Sequence, residues 1–229
     1  MNRGLARARW IPRLRAAALV IAALGVALLL DPLAWRLLRW RAAEGEEWYQ
    51  VLRQFGYLPT WLAIAACFAL HDRRVGPPRP SGLAVEPSGP ARLWHHRGGL
   101  LALSAVLSGL AAELGKMTLG RARPDPETGE LVYRGLFSGF VETSNLGGPS
   151  SHAAVAWGGA LMLGWLLPAT RPVVWTLAAG CALTRLWAGA HAFSGVVAGS
   201  LVALAVAGWL WRTGRGPRRG PAGGLVRPV

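Results

Sequence analysis

Three short segments in the second half of the chain combine cationic and imidazole side chains with long apolar runs. Lys116 and Arg123 lie at the end of one run, and His152 begins the next; Arg185 and His191 lie near a later boundary. Cationic side chains are costly within apolar sequence, so this placement indicates a functional site. Three donor groups without an acceptor suit phosphate. The two imidazoles provide one candidate nucleophile and one candidate general acid.

The order and spacing of these segments resemble the motifs of the type 2 phosphatidic acid phosphatase and vanadium haloperoxidase superfamily. That family has the pattern Lys, six residues, Arg-Pro, followed by Pro-Ser-Gly-His, and then Ser-Arg, five residues, His, three residues, Asp. The first two blocks are matched by Lys116, Arg123, Pro124, Pro149, Ser150 and His152. Ser151 replaces the glycine of the second block. Either Ser150 or Ser151 also fits the N-cap of a helix.

The third block is matched at two positions and departs from the family pattern at two others. Arg185 and His191 have the family spacing, and Thr184 replaces serine. Gly195 occupies the position of the aspartate. In the family this aspartate orients the nucleophilic histidine and stabilises its positive charge, which a glycine cannot do.

The resemblance implies hydrolysis of a phosphate ester through a phosphohistidine intermediate, without a metal ion or another cofactor. His191 would attack phosphorus, and His152 would protonate the leaving alkoxide. The implied phosphate-binding residues are Lys116, Arg123, Ser150, Ser151 and Arg185. The resemblance also extends to haloperoxidases that bind vanadate, which are soluble and larger than this chain. The apolar runs argue against that branch of the superfamily.

Other groups are available to replace the missing aspartate. The candidate carboxylates are those of Glu113, Asp125, Glu127, Glu130 and Glu142, and Ser194 or a backbone carbonyl is a further candidate. Glu113 lies three residues before Lys116 on the same helix face, so a simple ion pair between them is favoured over a role beside His191. If nothing orients His191, the alternative function is a non-catalytic relative that binds or transports an anionic lipid.

The composition is typical of a membrane protein. The 229 residues are 52% hydrophobic and 16% charged, and they include 12 tryptophans. The net charge of +14 is spread over flanks and loops, which argues against a nucleic-acid interface. Cys67 and Cys181 lie inside apolar runs, and we expect both to be packed free thiols.

The apolar runs predict an all-α fold, a polytopic membrane bundle of six transmembrane helices within residues 16–212. The predicted spans cover about 16–35, 57–70, 98–115, 152–167, 173–190 and 193–211. The first run has no clear cleavage site after it, so we expect an uncleaved helix. Residues 36–56 fit an outer amphipathic segment or a plain loop equally well. Residues 116–151 are expected to form an external loop folded over the site.

The remaining segments are predicted to lie on the cytoplasmic side. They are a basic N-terminus (1–15), a flexible loop (71–97) and a disordered tail (213–229). Within the loop, His95 and His96 are expected to be solvated rather than metal ligands, because adjacent residues do not share a helix face. Arg121 and Arg134 are likewise expected to be solvated loop charges.

The distribution of basic residues predicts the orientation in the membrane. With the N-terminus inside, 16 of the 25 Lys and Arg residues lie on the inner side, and the motifs face outward. We therefore expect a bacterial inner-membrane protein whose site faces the exterior. The predicted partner is a lipid phosphate, either a phospholipid or a polyprenyl lipid such as undecaprenyl diphosphate, and no nucleic acid. The sequence does not specify the head group or the oligomeric state.

Overall fold

The computed structural model describes residues 3–75, 97–214, 218–219 and 225–226, with side chains over 14–75 and 97–213. Its α-helices are α1 (Arg3–Leu38), α2 (Glu47–Gln54), α3 (Leu58–Val75), α4 (Arg97–Leu119), α5 (Ser151–Leu166), α6 (Arg171–Trp187) and α7 (Phe193–Gly214). Short 3-10 helices cover Arg41–Gly45, Ser138–Phe140 and Pro168–Thr170. In the tail predicted to be disordered, β1 (Arg218–Arg219) pairs antiparallel with β2 (Leu225–Val226). The helical fold class is confirmed.

Three helical segments are long and apolar enough to cross a membrane. They are Leu14–Leu38, Arg97–Leu119 and Phe193–Thr213. The other three predicted spans form helices of 18, 16 and 17 residues, namely α3, α5 and α6. These are shorter than the roughly 20 residues that a span requires. The count of six spans therefore stays a prediction.

Helix α5 lies at the centre of the bundle, where it packs against α4, α6 and α7. Small residues allow this close packing, because they let the helix backbones approach one another. At one contact between α4 and α5, the buried Ser104 hydroxyl donates to the Gly158 carbonyl at 2.6 Å. The arrangement brings the C-terminal end of α4, the N-terminal end of α5 and the segment between α6 and α7 into one region.

Two glycines with positive φ end the helices that carry motif cations. Gly120 (φ +58°) follows α4, and its N–H donates to the Lys116 carbonyl at 3.0 Å. Gly189 (φ +64°) follows α6 just beyond Arg185. Glycine adopts this conformation without the steric cost that other residues incur, so both helices end sharply. Lys116 and Arg185 are thereby placed in the last helical turn, at the edge of the bundle.

The segments around the first spans differ partly from expectation. The prediction of an amphipathic segment within 36–56 is confirmed by α2. Its Tyr49 is buried against α6, and the Tyr49 hydroxyl donates to the Thr184 carbonyl at 3.2 Å. Residues 71–75 were predicted to belong to a flexible loop, but they are helical, because α3 continues to Val75. Asp72 is buried there and pairs with Arg97. Most of that loop, with His95 and His96, lies outside the described residues.

Candidate active site

The segment between α4 and α5 is held by backbone hydrogen bonds that bring its two ends together. The Arg123 N–H donates to the Asn145 carbonyl at 2.9 Å, and the Gly147 N–H donates to the Arg121 carbonyl at 2.7 Å. Gly148 packs directly against the Lys116 backbone. As a result, the first and second motif blocks lie side by side.

The N-terminus of α5 is capped by a buried serine. The Ser150 side chain accepts a hydrogen bond from the Ala153 N–H at 3.4 Å, and the Ser150 N–H donates to the Gly195 carbonyl at 2.8 Å. The N-cap interpretation is therefore correct for Ser150, whose hydroxyl proton remains free to be donated. Ser151 follows in the first turn, where its oxygen accepts from Lys116 Nζ at 3.3 Å.

Lys116 also forms an ion pair with Glu113, between Nζ and Oε1 at 2.8 Å. This is the simple pair expected from their spacing, and it engages the Glu113 carboxylate with Lys116. The Glu113 side chain is 43% exposed, so the pair is partly screened by solvent. It holds the ammonium group next to Ser151 at the end of α4.

Replacing Glu113 with glutamine should therefore have little effect on catalysis. An exposed pair contributes about 0–1 kcal/mol, so we expect the kcat/KM of the Glu113→Gln variant to stay within about fivefold of wild type. Phosphate release from a lipid substrate measures this. A loss of a hundredfold or more would instead identify Glu113 as the carboxylate that replaces the missing aspartate.

His191 is buried between α6 and α7, with 4% of its surface exposed. Its Nδ1 lies 3.4 Å from the Gly147 carbonyl, which can only accept. This contact favours the tautomer with a proton on Nδ1 and a lone pair on Nε2. Burial, followed by the positive charges of Arg185 and Lys116, lowers the pKa of His191 well below its usual range. The ring is therefore neutral at physiological pH, as a nucleophile must be.

The space where an aspartate would follow His191 is filled by other groups. A Cβ at Gly195 would lie 2.8 Å from the Gly148 carbonyl oxygen and 3.5 Å from Nη2 of Arg121. The first distance is too short for a real contact, so an aspartate would require the backbone to shift. The site is thus adapted to glycine, with a backbone carbonyl as the partner of the histidine.

A buried carboxylate that the sequence analysis missed lies at the start of α7. Asp31 of α1 accepts hydrogen bonds from Ser194 N–H at 2.7 Å and from its hydroxyl at 2.6 Å. The same hydroxyl accepts from Arg121 Nη1 at 2.9 Å, and Arg121 Nη1 lies 4.0 Å from Asp31. Arg121 is only 5% exposed, so its assignment as a solvated loop charge was wrong. The sequence indicates that Asp31 needs a partner, because an acidic residue at the end of a long apolar run is costly without one. It does not indicate which residue that partner is.

Two of the remaining carboxylates considered as substitutes are engaged within the loop. Asp125 Oδ1 accepts from the Glu127 N–H at 2.9 Å and the Thr128 N–H at 2.8 Å. Glu142 pairs with Arg134 at 3.0 Å. These bonds close local turns, and none of them involves the histidine.

His152 lies in the first turn of α5 with an unoccupied ring nitrogen. Its Nε2 is buried and has no hydrogen-bond partner within the described residues. The edge of the ring packs against Tyr57, with 5.0 Å between ring centroids. Gly56 lies so close to His152 that a side chain there would clash with it. The imidazole is therefore held by packing, while one nitrogen remains available for proton transfer.

The predicted cations and imidazoles are brought together. His191 interacts electrostatically with Arg185, Lys116 and Arg123, and His152 interacts with Arg185 and Lys116. Arg185 is 7% exposed, and its Nε is a buried donor without a partner in the described structure. The Arg185 carbonyl accepts from the His191 N–H at 3.3 Å, which fixes the two residues relative to each other.

A cavity of about 610 Å³ opens beside this cluster and is lined by both Arg123 and Arg185. Its size is within the range of small-molecule sites. The described residues contain no group of three or more His, Cys, Asp or Glu side chains placed to hold a metal ion. The cavity lining is rich in arginine, which suits an anion, and it does not include His152, His191 or Lys116.

Comparison with known proteins gives one match. The sequence model of the PAP2 superfamily matches residues 97–218, which is more than half of the chain and includes all three motif blocks. The comparisons with curated proteins and with solved structures gave no match.

Proposed function

Because the chain belongs to the PAP2 superfamily, we propose that it is a membrane phosphatase that acts on a lipid phosphate. The substrate would be a phosphomonoester or diphosphate of a phospholipid or polyprenyl lipid. Family membership supports a hydrolase in general terms, and the three apolar helical segments support membrane integration. The lipid, the covalent intermediate and the residue roles below belong to the proposal.

The single observation that carries the proposal is the buried imidazole of His191, whose pKa is lowered by burial and by the positive charges of Arg185, Lys116 and Arg123. An uncharged imidazole can attack phosphorus, whereas a protonated one cannot. Lys116, Arg123 and Arg185 would hold the phosphate oxygens on which charge is spread in the transition state. Ser150 and the backbone N–H groups at the start of α5 would add donors at a helix N-terminus.

The reaction would proceed in two displacements. In the first, Nε2 of His191 forms a bond to phosphorus and the bond from phosphorus to the leaving oxygen breaks. His152 gives a proton to the leaving group, which is an alkoxide for a phosphomonoester and a lipid phosphate for a diphosphate. In the second, water attacks the phosphohistidine, His152 takes its proton, and inorganic phosphate leaves. The Gly147 carbonyl supports the positive charge on His191 during the first step, in the place of the family's aspartate.

The apolar surface near the site suits a lipid substrate. The segment before α5 exposes Leu136 (70%), Phe137 (61%), and Val141 (93%). Such side chains are expensive in water and favourable at a bilayer surface. We place the site at the outer face of a bacterial inner membrane, in accordance with the distribution of basic residues.

Gly195 favours a second candidate, a non-catalytic protein that binds or moves an anionic lipid. Its support is the 3.4 Å separation between Nδ1 of His191 and the Gly147 carbonyl, which makes a weak hydrogen bond. This candidate predicts that lipid-phosphate binding survives His191→Ala but not Arg123→Ala, and that no phosphate is released.

The proposed function is tested by phosphate release from purified protein in detergent. The substrates are phosphatidate, phosphatidylglycerophosphate and undecaprenyl diphosphate, and the background is the His191→Ala variant. We expect release above that background from at least one lipid. Release at background level from all three, with lipid binding retained, would support the binding protein instead.

A further inference from the structure

We propose that the cavity beside Arg123 and Arg185 contains a second anion subsite, formed by Arg39, Arg41 and Arg53, that selects substrates with two phosphate groups. This inference rests on the proposed function and narrows its substrate class. The three arginines precede the region matched by the family, so the motif chemistry does not account for them.

The cavity is strongly basic. Its lining includes Arg39, Arg41, Arg53, Arg123, Arg134 and Arg185. Only three carboxylates line the same space, those of Glu44, Asp125 and Glu130. The volume of about 610 Å³ is also far greater than one phosphate group requires. Cations gathered in a concave site focus a positive potential that concentrates anions.

Existing partners do not neutralise this excess. Arg134 is paired with Glu142 at 3.0 Å, outside the cavity lining. Oδ1 of Asp125 already accepts two backbone N–H groups of its own turn. Arg39 stacks on the Trp35 ring, with its guanidinium carbon 4.5 Å from the ring centroid. The stacking helps to hold Arg39 in place, and the Asp125 carboxylate also interacts with Arg39 electrostatically.

Arg53 provides the strongest evidence for the second anion subsite. Its Nε is buried and has no hydrogen-bond partner among the described residues. Its guanidinium carbon lies 5.6 Å from the centre of the Tyr57 ring, and it repels the nearby Arg185 electrostatically. A buried donor without a partner and two adjacent cations are both unfavourable, and an anion between them removes both costs.

The position of Arg53 is fixed by contacts of α2 with the helix that carries Arg185. The Tyr49 hydroxyl donates to the Thr184 carbonyl at 3.2 Å, and the Cys181 thiol contacts the Arg53 carbonyl at 3.8 Å. The 3-10 helix that begins at Arg41 is tied to α2 through Gln50, whose side chain donates to the Glu44 carbonyl at 2.7 Å. The subsite is therefore built on ordered elements.

These features define the substrate class. One phosphate engages Lys116, Arg123 and Arg185, the cations of the family motifs. A second phosphate, joined directly or through a short linker, would engage Arg53 together with Arg39 and Arg41. Arginine is suited to this task, since its planar fork binds phosphate oxygens in pairs. Two kinds of lipid carry such a second phosphate group: a diphosphate ester, and a phosphomonoester whose lipid also contains a phosphodiester.

A binding experiment tests the subsite independently of turnover. Purified protein in detergent, at fixed ionic strength, is titrated with inorganic phosphate and with inorganic diphosphate by calorimetry. We expect diphosphate to bind at least about tenfold more tightly, and Arg53→Gln to reduce this preference to about twofold or less. The control is Arg36→Gln, which removes an exposed charge on α1 outside the cavity lining and should leave the preference unchanged.

Three outcomes of the binding experiment would overturn the inference. Equal affinity for the two anions in wild type would exclude a second subsite. An equal loss of affinity for phosphate and for diphosphate in Arg53→Gln would place Arg53 in the first phosphate site. A reduced diphosphate preference in Arg36→Gln would indicate a diffuse charge effect. If the diphosphate preference is found but no lipid is hydrolysed, the subsite stands and the proposed function fails.

Turnover of three lipids separates the two sources. Relative to phosphatidate, Arg53→Gln should lower kcat/KM about tenfold more for undecaprenyl diphosphate if the subsite takes a diphosphate. The same selective loss for phosphatidylglycerophosphate would identify the linked phosphodiester. A uniform loss for all three lipids would contradict selection by Arg53.

Discussion

Replacing Asp31 with alanine should lower the free energy of unfolding by about 3–5 kcal/mol, the cost of removing one partner from a buried charged network. Asp31 is 7% exposed and accepts both the backbone N–H and the hydroxyl of Ser194. Without it, the Arg121 guanidinium loses the negative charge that lies 4.0 Å from Nη1, and two of its other nitrogens have no hydrogen-bond partner within the described residues. Unfolding of the detergent-solubilised protein by heat or denaturant measures this loss.

The matched control is Asp125→Ala, which removes a carboxylate that also accepts backbone N–H groups but lies at an exposed turn. It should cost no more than about 1 kcal/mol. Asp31→Asn keeps the size and one acceptor, so its loss should fall between the two. Adding Arg121→Met to Asp31→Ala should recover part of the stability, because the unpaired buried cation is removed. Equal losses for Asp31→Ala and Asp125→Ala would show that the network does not stabilise the fold.

Replacing His152 with glutamine should lower the rate of lipid dephosphorylation by about 10²–10⁴-fold, the usual contribution of a general acid. The leaving group of a lipid phosphomonoester such as phosphatidate, the substrate for this test, is a basic alkoxide that needs a proton. In the proposed mechanism the proton comes from His152, whose Nε2 is buried without a hydrogen-bond partner among the described residues. With p-nitrophenyl phosphate the leaving phenolate needs no proton, so the same variant should lose less than about tenfold. Steady-state kinetics with both substrates measure the difference.

His71→Gln is the matched control, because it removes an exposed imidazole on α3 away from the motifs. It should leave both rates unchanged. Equal losses for the two substrates in His152→Gln would mean that His152 binds or positions the phosphate rather than protonating the leaving group.

Much of the site was predictable because its residues are expensive in apolar sequence and their spacing is specific. Lys116, Arg185 and His191 were identified on that basis, and their roles in a phosphate site stay a prediction; the structure shows that both cations influence His191 electrostatically. The helices were predictable from the same apolar runs. The number of membrane spans was not predictable from the sequence. Helices α5 and α6 bury many of their apolar residues against other helices, and they are shorter than a typical span.

The network around Asp31 escaped prediction for a different reason. Asp31 and Ser194 are separated by 163 positions, and nothing local in either segment indicates their contact. Arg121 lies in a polar loop, where exposure is the usual outcome, and its burial follows from the packing of α1 against α7. The surroundings of Gly195 could not be predicted for the same reason, since only the fold shows that Gly148 and Arg121 fill the space beside it.

The central claim is that the neutral imidazole of His191 attacks phosphorus, and trapping the covalent intermediate tests it most directly. The protein is mixed with a lipid substrate labelled with ³²P at the terminal phosphate, quenched in alkali and digested, and the labelled peptide is identified. We predict an alkali-stable, acid-labile phosphohistidine at His191 in wild type and no label in His191→Gln. Phosphate release that continues in His191→Gln at the wild-type rate, or label on any other residue, would contradict the account.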